Sequence, residues 1–328
     1  MNIKARITGL SSYLPESVLS NRDLEKMVDT SDEWILTRTG IKERRIARSD
    51  EYSSSMGFEA SKKALIEARL NADELDMILV ATMTPDYISP STAALIQSKL
   101  QAEKAAACDL QAACTGFIYA LSVAKAYVES GIYNHVLVVA SDKMSSLVDY
   151  KDRNTCVLFG DGAVAAVVSN TGDGLAIDAV CLGADGNLAE LLMVPAGGSK
   201  QPATEETVSQ GLHYLKMAGK EVFKHAVRRM GFAANESLKK AGLTKDDISW
   251  VIPHQANLRI IDAIGMHLSI PSDKIYKTLH KFGNTSGSSV GIALHHLIEE
   301  KGLSKDERVL MVAFGAGLTW GSLILTKL

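Results

Sequence analysis

Three residue types that cooperate in acyl-transfer chemistry stand far apart in the chain: Cys114, His254 and Asn284. Cys114 lies in AACDLQAACTGF, between an expected buried strand over residues 105–110 and an apolar helical pattern over residues 116–130. A cysteine at such a junction meets the first-turn N–H groups and the positive end of the helix dipole, which favours the nucleophilic thiolate. The competing reading is a buried cysteine serving as a small hydrophobe. His254 ends the apolar strand at residues 250–252 in VIPHQANLRI, and strand ends that lead into helices are where α/β sites gather. An interior structural histidine is the alternative. Asn284 sits in KFGNTSGSS, before an apolar helix starting near Val290, where asparagine serves as a cap or turn residue or as an amide donor. Taken together, the three form a cysteine–histidine–asparagine set: a nucleophile, a histidine and an amide donor, each at a strand or turn end that feeds a helix. Gly315 and Gly317 in AFGAGLTWG let backbone N–H groups approach a ligand, which supplies one half of an oxyanion hole.

Neither glycine-rich turn of the chain, this one or FGDGA, reads as a nucleotide-binding loop. AFGAGLTWG is no dinucleotide fingerprint, because its spacing is wrong and a strand follows it. FGDGA at residues 159–163 lacks the Lys and Ser/Thr of a phosphate-binding loop and reads as structural.

The elements that must position these residues repeat. LNADELDMILVA from Leu70 and LTKDDISWVIPH from Leu243 match in register, 173 residues apart. HVLVVAS from His135 and RVLMVAF from Arg308 match at the same offset, as do Leu65 and Ala68 with Leu238 and Ala241. Three matches at one offset predict two copies of a strand–helix–strand–helix–strand unit. The short continuous apolar runs are those of strands covered on both faces, so the expectation is two α/β halves with mostly parallel sheets. The halves are drawn at 1–172 and 173–328, divided in SNTGDG. His254 then answers Ala81, and the turn of Asn284 answers that of Cys114. Residues 14–55, with a helix expected at 21–27, and the Gly- and Pro-rich residues 184–206 stand outside the repeat as insertions.

Composition excludes several function classes. Hydrophobic residues make up 46% and charged ones 22%, with 35 basic against 38 acidic residues for a net charge of −3. No nucleic-acid partner is suggested by that balance. No run approaches the roughly 18 apolar residues of a membrane span, and the N-terminus MNIKARITGL reads as a strand without a signal-peptide core. Cys108, Cys114, Cys156 and Cys181 show no C-x-x-C pairing and sit in apolar sequence, so neither a metal site nor a disulfide framework is expected and a cytoplasmic location is the default. A helix expected over residues 212–230 would carry Lys216, Lys220, Lys224 and Arg228 as one basic stripe, with Val222, Phe223, Ala226, Val227 and Met230 on its buried side. Such a stripe is a solvated face or a dock for an acidic partner.

The motifs TSDEWILTRTGIKERR, CDLQAACTGFIYAL, RNTCVLFGDGA, IPHQANLRI, GNTSGSS and FGAGLTWG, in this order, resemble the bacterial β-ketoacyl-[acyl-carrier-protein] synthase III enzymes of the thiolase superfamily along the whole chain. The resemblance implies an α/β, duplicated, five-layer αβαβα thiolase-like fold. It implies that Cys114 takes the acyl group of an acyl-CoA primer, and that malonyl-acyl-carrier protein then binds and loses CO₂. His254 and Asn284 would hydrogen-bond the thioester carbonyl as enolate charge develops, and the N–H groups of Cys114 and Ala316 would hold the acyl oxyanion. No metal or redox cofactor is implied, acyl-CoA being a substrate.

The family also implies contacts for CoA and for the carrier protein. Trp34 and Arg153 would sandwich the adenine, with Thr30 at its edge and Arg38 near the phosphates. Asn257 and Gly219 would line the pantetheine channel and Phe223 its mouth. Gln255, Ala256, Asn257, Leu258 and Arg259, with Lys216, Lys220 and Lys224, would form the carrier-protein dock, where positive charge suits an acidic partner. A homodimer is implied as well.

Three positions depart from the family pattern. Ala316 stands where many relatives have glycine. Met266 and His267 replace lysines seen in some relatives, which weakens the expected dock there. Ser89 replaces an aromatic residue that closes the acyl pocket from the partner subunit, which suggests primers longer than acetyl. Chalcone-synthase-like enzymes share the three residue types and remain the alternative, separated by their use of malonyl-CoA. A papain-like hydrolase would hydrolyse without condensing, and a purely binding protein would leave Cys114 unreactive.

Overall fold

The computed structural model describes residues 4–328. Residues 1–3, where the expected N-terminal strand begins, lie outside the described residues. Nine strands form one hydrogen-bonded sheet. In chain order they are β1 (Arg6–Tyr13), β2 (Met77–Ala81), β3 (Ala106–Leu110), β4 (His135–Asp142), β5 (Gly162–Ser169), β6 (Leu175–Ala184), β7 (Trp250–Pro253), β8 (Arg308–Gly315) and β9 (Thr319–Lys327). Their spatial order is β7-β8-β9-β6-β1-β5-β4-β2-β3.

The join between the two sets is narrow. β1 meets β6 only through Arg6 opposite Ala176 and Ile7 opposite Leu175, whereas β1 and β5 pair along most of their length. The sheet therefore bends into two leaves, β1 to β5 on one side and β6 to β9 on the other. Three strand pairs are parallel and five antiparallel, which corrects the expectation of mostly parallel sheets. The reason lies in the connections: the tight turn at Ala316–Leu318 returns β8 into β9 as a hairpin, whose partners are antiparallel by necessity, and β1 enters between β5 and β6 and runs opposite to both.

Among the described residues the α-helices of eight residues or more are α1 (Asp32–Thr39), α2 (Ser53–Ala68), α3 (Thr92–Leu100), α4 (Gly116–Glu129), α5 (Gly219–Ala241), α6 (Leu258–Leu268) and α7 (Ser289–Lys301). Helices α4 and α7 form the middle layer. Phe117, Leu121, Val290 and Leu294 pack in one cluster with Val138 and Ala166 of the first leaf and with Met311 and Leu323 of the second. Helices α2 and α3 cover the outer face of the first leaf, and α5 and α6 that of the second. The result is five layers. Each large apolar side chain buried in these interfaces contributes about 1.5–3 kcal/mol of hydrophobic stabilisation.

The repeat is visible in the structure. Helices α4 and α7 start at Gly116 and Ser289, and β4 and β8 at His135 and Arg308, each pair separated by 173 residues. The symmetry extends to backbone strain: Ala113 (φ 46°) and Ser286 (φ 54°), also 173 apart, both adopt the left-handed conformation just before these helices. Non-glycine residues there cost about 1–3 kcal/mol, which the surrounding packing must hold in place.

Other expectations shift. β3 is the edge strand of the sheet, with exposed and half-buried residues and Cys108 exposed, not the buried strand foreseen. Small residues allow burial without requiring it. The helix expected over residues 212–230 starts at Gly219 and runs to Ala241, so Lys216 belongs to a short strand instead (Lys216–Met217, paired with Leu192–Met193). In the first insertion, the helix expected at 21–27 shrinks to Asn21–Leu24, and α1 follows it. The side chain of Ser31 starts α1 by accepting from the N–H of Trp34 at 3.1 Å.

Candidate active site

A cleft of about 720 Å³ opens where the two leaves and the central helices meet, and Cys114, His254, Asn284 and Ala316 all line it. His254 and Asn284, which stand 140 and 170 positions beyond Cys114 in sequence, thus share one wall with it.

Cys114 sits in the 3₁₀ turn Ala113–Thr115 that leads into α4, and only 7% of it is exposed. Its Sγ lies 3.8 Å from the Ser286 Oγ. Gly315, at the end of β8, presses against it: a Cβ there would stand 2.7 Å from the Cys114 backbone N and 3.1 Å from its Cβ. The expected thiolate is not what this environment favours. Burial pushes the thiol up to about 12, the Ser286 hydroxyl opposes the rise, and the buried Asp142 carboxyl adds to it. Desolvation therefore outweighs the helix end, and Cys114 is held as the thiol.

His254 follows β7 directly, its N–H donating to the Val312 carbonyl at 2.7 Å. Its Nδ1 lies 2.6 Å from the Ser289 Oγ. Burial alone pulls the imidazole down to about 3, so the ring is neutral at physiological pH. Asn284 is clamped by the other half of the chain. Its N–H donates to the Leu158 carbonyl at 2.9 Å and its carbonyl accepts from the Gly160 N–H at 3.0 Å. Gly160 is required there, because a Cβ would come within 2.4 Å of the Phe282 carbonyl oxygen. That gives FGDGA its structural role. The Asn284 Oδ1 accepts from the Ser286 N–H at 2.9 Å, which leaves the Nδ2 amide as the donor turned to the cleft.

Sequence reasoning missed the groups that tie these turns together. Asp142, fully buried at the end of β4, accepts from the Met83 N–H at 2.8 Å and from the Thr82 hydroxyl at 3.1 Å, and its second oxygen accepts from the Gly287 N–H at 3.3 Å. Burial raises its carboxyl above the usual carboxylate range. Ser286 and Ser289 join it. Their signal was present, in a polar residue ending the run HVLVVASD and in the serines of GNTSGSS, but neither pattern states a partner.

The expected CoA residues divide. Trp34, Arg38, Gly219, Phe223 and Asn257 line the cleft, while Thr30 and Arg153 do not. The guanidiniums of Arg38 and Arg153 stand 4.7 and 4.8 Å from the Trp34 ring centre. A flat base between Trp34 and Arg153 needs two contact gaps, about 7 Å in all, so the slot is closed here by Arg153 itself, whose Nη1 donates to the Asp29 carbonyl at 2.9 Å. The Thr30 Oγ1 is buried without a hydrogen-bond partner among the described residues. Phe223, foreseen on the buried side of its helix, is 37% exposed and fits the cleft mouth instead.

The expected dock divides too. Lys220, Lys224, Ala256 and Arg259 border the cleft. Gln255 is buried, donating to the Pro253 carbonyl and accepting from the Thr278 and Leu279 N–H groups, so it fixes the loop and does not face a partner. Leu258 is half-buried, and a Cβ on Gly40 would come within 2.7 Å of it. Lys216 lies off the helix that carries Lys220 and Lys224. Ser89 is exposed beside exposed Tyr87 and Ile88 and does not line the cleft of its own chain. Among the described residues, no helix is long and apolar enough to cross a membrane.

Comparison with known proteins agrees with this geometry. Residues 108–186 match the family model "3-Oxoacyl-[acyl-carrier-protein (ACP)] synthase III", and residues 238–327 match the model of that enzyme's C-terminal part. The chain is 57% identical over 327 residues to a β-ketoacyl-[acyl-carrier-protein] synthase III of Chlamydia pneumoniae, covering 99% of this chain and 98% of the relative. A protein of that name from Caldanaerobacter subterraneus is 53% identical over 98% of both chains. Among solved structures, the 3-oxoacyl-[acyl-carrier-protein] synthase III of Aquifex aeolicus superposes with a TM-score of 0.90 at 48% identity, covering 98% of this chain and 99% of that one. The malonyl-CoA-using alternative is not favoured by these likenesses.

Proposed function

The chain belongs to the 3-oxoacyl-[acyl-carrier-protein] synthase III family, acyltransferases of thiolase-like fold that carry out the initiating condensation of fatty-acid synthesis, and from that premise we propose how its residues divide the reaction. In the first step Cys114 attacks the thioester of an acyl-CoA primer. A bond forms between its sulfur and the acyl carbon, the bond to CoA breaks, and the thiol proton ends on the departing CoA. The N–H groups of Cys114 and Ala316 hold the oxyanion of this step. Because the thiol rests protonated, proton loss belongs to the attack itself and not to the resting protein.

In the second step malonyl-acyl-carrier protein occupies the cleft and loses CO₂. The enolate oxygen accepts hydrogen bonds from the His254 Nε2 and the Asn284 Nδ2. Its carbon then attacks the acyl-cysteine, releasing β-ketoacyl-carrier protein, and Cys114 regains a proton from solvent. A neutral histidine and an amide suit this step, since a carboxylate would repel the developing charge. The work divides between the halves 1–172, which carry the nucleophile, and 173–328, which carry the two donors.

Trp34, Arg38, Arg153, Thr30, Gly219, Phe223 and Asn257 are the CoA contacts, Arg153 swinging away to admit the base. Lys220, Lys224 and Arg259 attract the acidic carrier protein. The chain works as a homodimer in the cytoplasm, with Ser89 facing the partner's acyl pocket and admitting primers longer than acetyl. The observation that carries this reading is the convergence of Cys114, His254 and Asn284 on one cleft, with the Asn284 side-chain Oδ1 already committed to the Ser286 N–H.

Intact-protein mass spectrometry after mixing with acetyl-, isobutyryl- or hexanoyl-CoA tests it. Wild type gains one acyl group and Cys114→Ala gains none. An adduct that survives in Cys114→Ala refutes the nucleophile, and exclusive use of acetyl-CoA refutes the part given to Ser89.

A further inference from the structure

Ser289 is the first residue of α7, and 2% of it is exposed. Its Oγ makes two contacts among the described residues: the His254 Nδ1 at 2.6 Å and the Gln255 N–H at 3.4 Å. A backbone N–H can only donate, so it takes a lone pair of the hydroxyl oxygen. The hydroxyl proton is left with one acceptor in reach, the His254 Nδ1. Ser288, one residue earlier, shows the usual alternative, its hydroxyl donating to the Thr285 carbonyl at 2.8 Å. Ser289 makes no such bond. In a site this dry an undonated hydroxyl proton carries the full cost of lost hydration, so the chain of donors has one direction: Gln255 N–H to Ser289 Oγ, and Ser289 O–H to His254 Nδ1.

A ring that accepts at Nδ1 carries its proton at Nε2 when neutral. The His254 Nε2 has no partner among the described residues, and His254 lines the cleft. We infer that Ser289 is a positioning residue that holds His254 as the Nε2–H tautomer, so that the ring presents a donor, and never an acceptor, to the bound thioester. The inference deepens the proposed role of His254 and rests on it. It also separates the half-reactions: an imidazole held this way stabilises the enolate of the second step but cannot take the proton of Cys114 in the first.

The test pairs Ser289→Ala with Ser289→Thr, which keeps the hydroxyl, and with His254→Ala as a reference. In Ser289→Ala the ring is free to place its proton on either nitrogen. Acylation of Cys114 by acetyl-CoA, read by mass, stays within about twofold of wild type and serves as the folding control. The condensation kcat falls on the order of 10- to 100-fold, less than or equal to the loss from removing an oxyanion donor outright, and KM for acetyl-CoA is unchanged. Ser289→Thr restores kcat. Nitrogen-15 NMR of histidine-labelled wild type, assigned against His254→Ala, shows His254 protonated at Nε2.

Failures of the two ideas look different. If His254→Ala condenses normally, the donor role of His254 is wrong. If His254→Ala is impaired while Ser289→Ala is not, Ser289 does not set the tautomer. If Ser289→Ala does not fold, the wild-type spectrum decides alone, and an Nδ1–H signal for His254 overturns the inference.

Discussion

Replacing Gly315 by alanine adds one methyl group at the point where the end of β8 touches Cys114, the proposed nucleophile. The new Cβ would lie 2.7 Å from the Cys114 backbone N, 3.1 Å from its Cβ and 3.2 Å from its Cα. Every one of these atoms belongs to the backbone of Cys114 or is its Cβ, so no flexible side-chain end can give way. Ordinary contact begins near 3.4 Å, so the turn Ala113–Thr115 or the end of β8 must retreat by about 0.7 Å. Overpacking of this kind costs about 1–3 kcal/mol. At about 2 kcal/mol, and with an unfolding entropy of about 2.1 cal/mol/K per residue, the melting temperature falls by only about 3 °C. Activity should suffer far more, because a displacement approaching 1 Å of a reacting atom costs on the order of 100-fold in rate. Rapid-quench acylation with acetyl-CoA, followed by intact mass, measures it beside a thermal melt. Acylation within threefold of wild type, at an unchanged melting temperature, would refute the reasoning that Gly315 is there to let β8 reach Cys114.

Two further outcomes follow from the site. His254 is held well below its ordinary value of 6.5. As pH falls below 6.5 the unfolded chain takes up a proton that the folded one refuses, so stability present above that pH is lost on acidification. The loss is about 1.4 kcal/mol per pH unit, or about 2 kcal/mol by pH 5. In urea melts at pH 7 and pH 5, His254→Gln should lack that portion of the acid loss; equal slopes in both proteins would contradict it. Trp34→Ala should raise KM for acyl-CoA while leaving kcat within twofold. Base stacking is worth about 1–3 kcal/mol against about 0.5–1 for the arginine contacts released, which nets about 0.5–2 kcal/mol, or roughly 2- to 30-fold in KM. An unchanged KM would remove Trp34 from CoA recognition.

The sequence by itself determined the duplication, because strands buried on both faces and helices of fixed spacing leave apolar patterns that survive divergence. The 173-residue offset between Leu70 and Leu243 reappears in the starts of α4 and α7. It also singled out Cys114, His254 and Asn284, which line one cleft, since each lies at a strand or turn end whose local pattern is short-range. Strand direction was not legible, because a hairpin and a crossover can begin from similar turn residues and only the return of the chain decides between them. The state of Cys114 was not legible either. A local rule, the helix end, pointed to thiolate, while the burial that pushes the thiol up to about 12 comes from residues of both leaves. Gln255 reads as part of a surface motif until its amide is found satisfied by Pro253, Thr278 and Leu279. Asp142, Ser286 and Ser289 matter through partners 35 to 172 residues away. Local propensity and periodicity act over one turn or one strand, so they are written in the sequence. Desolvation, hydrogen-bond pairing and close approach depend on which distant segments meet, and the tertiary structure alone decides that.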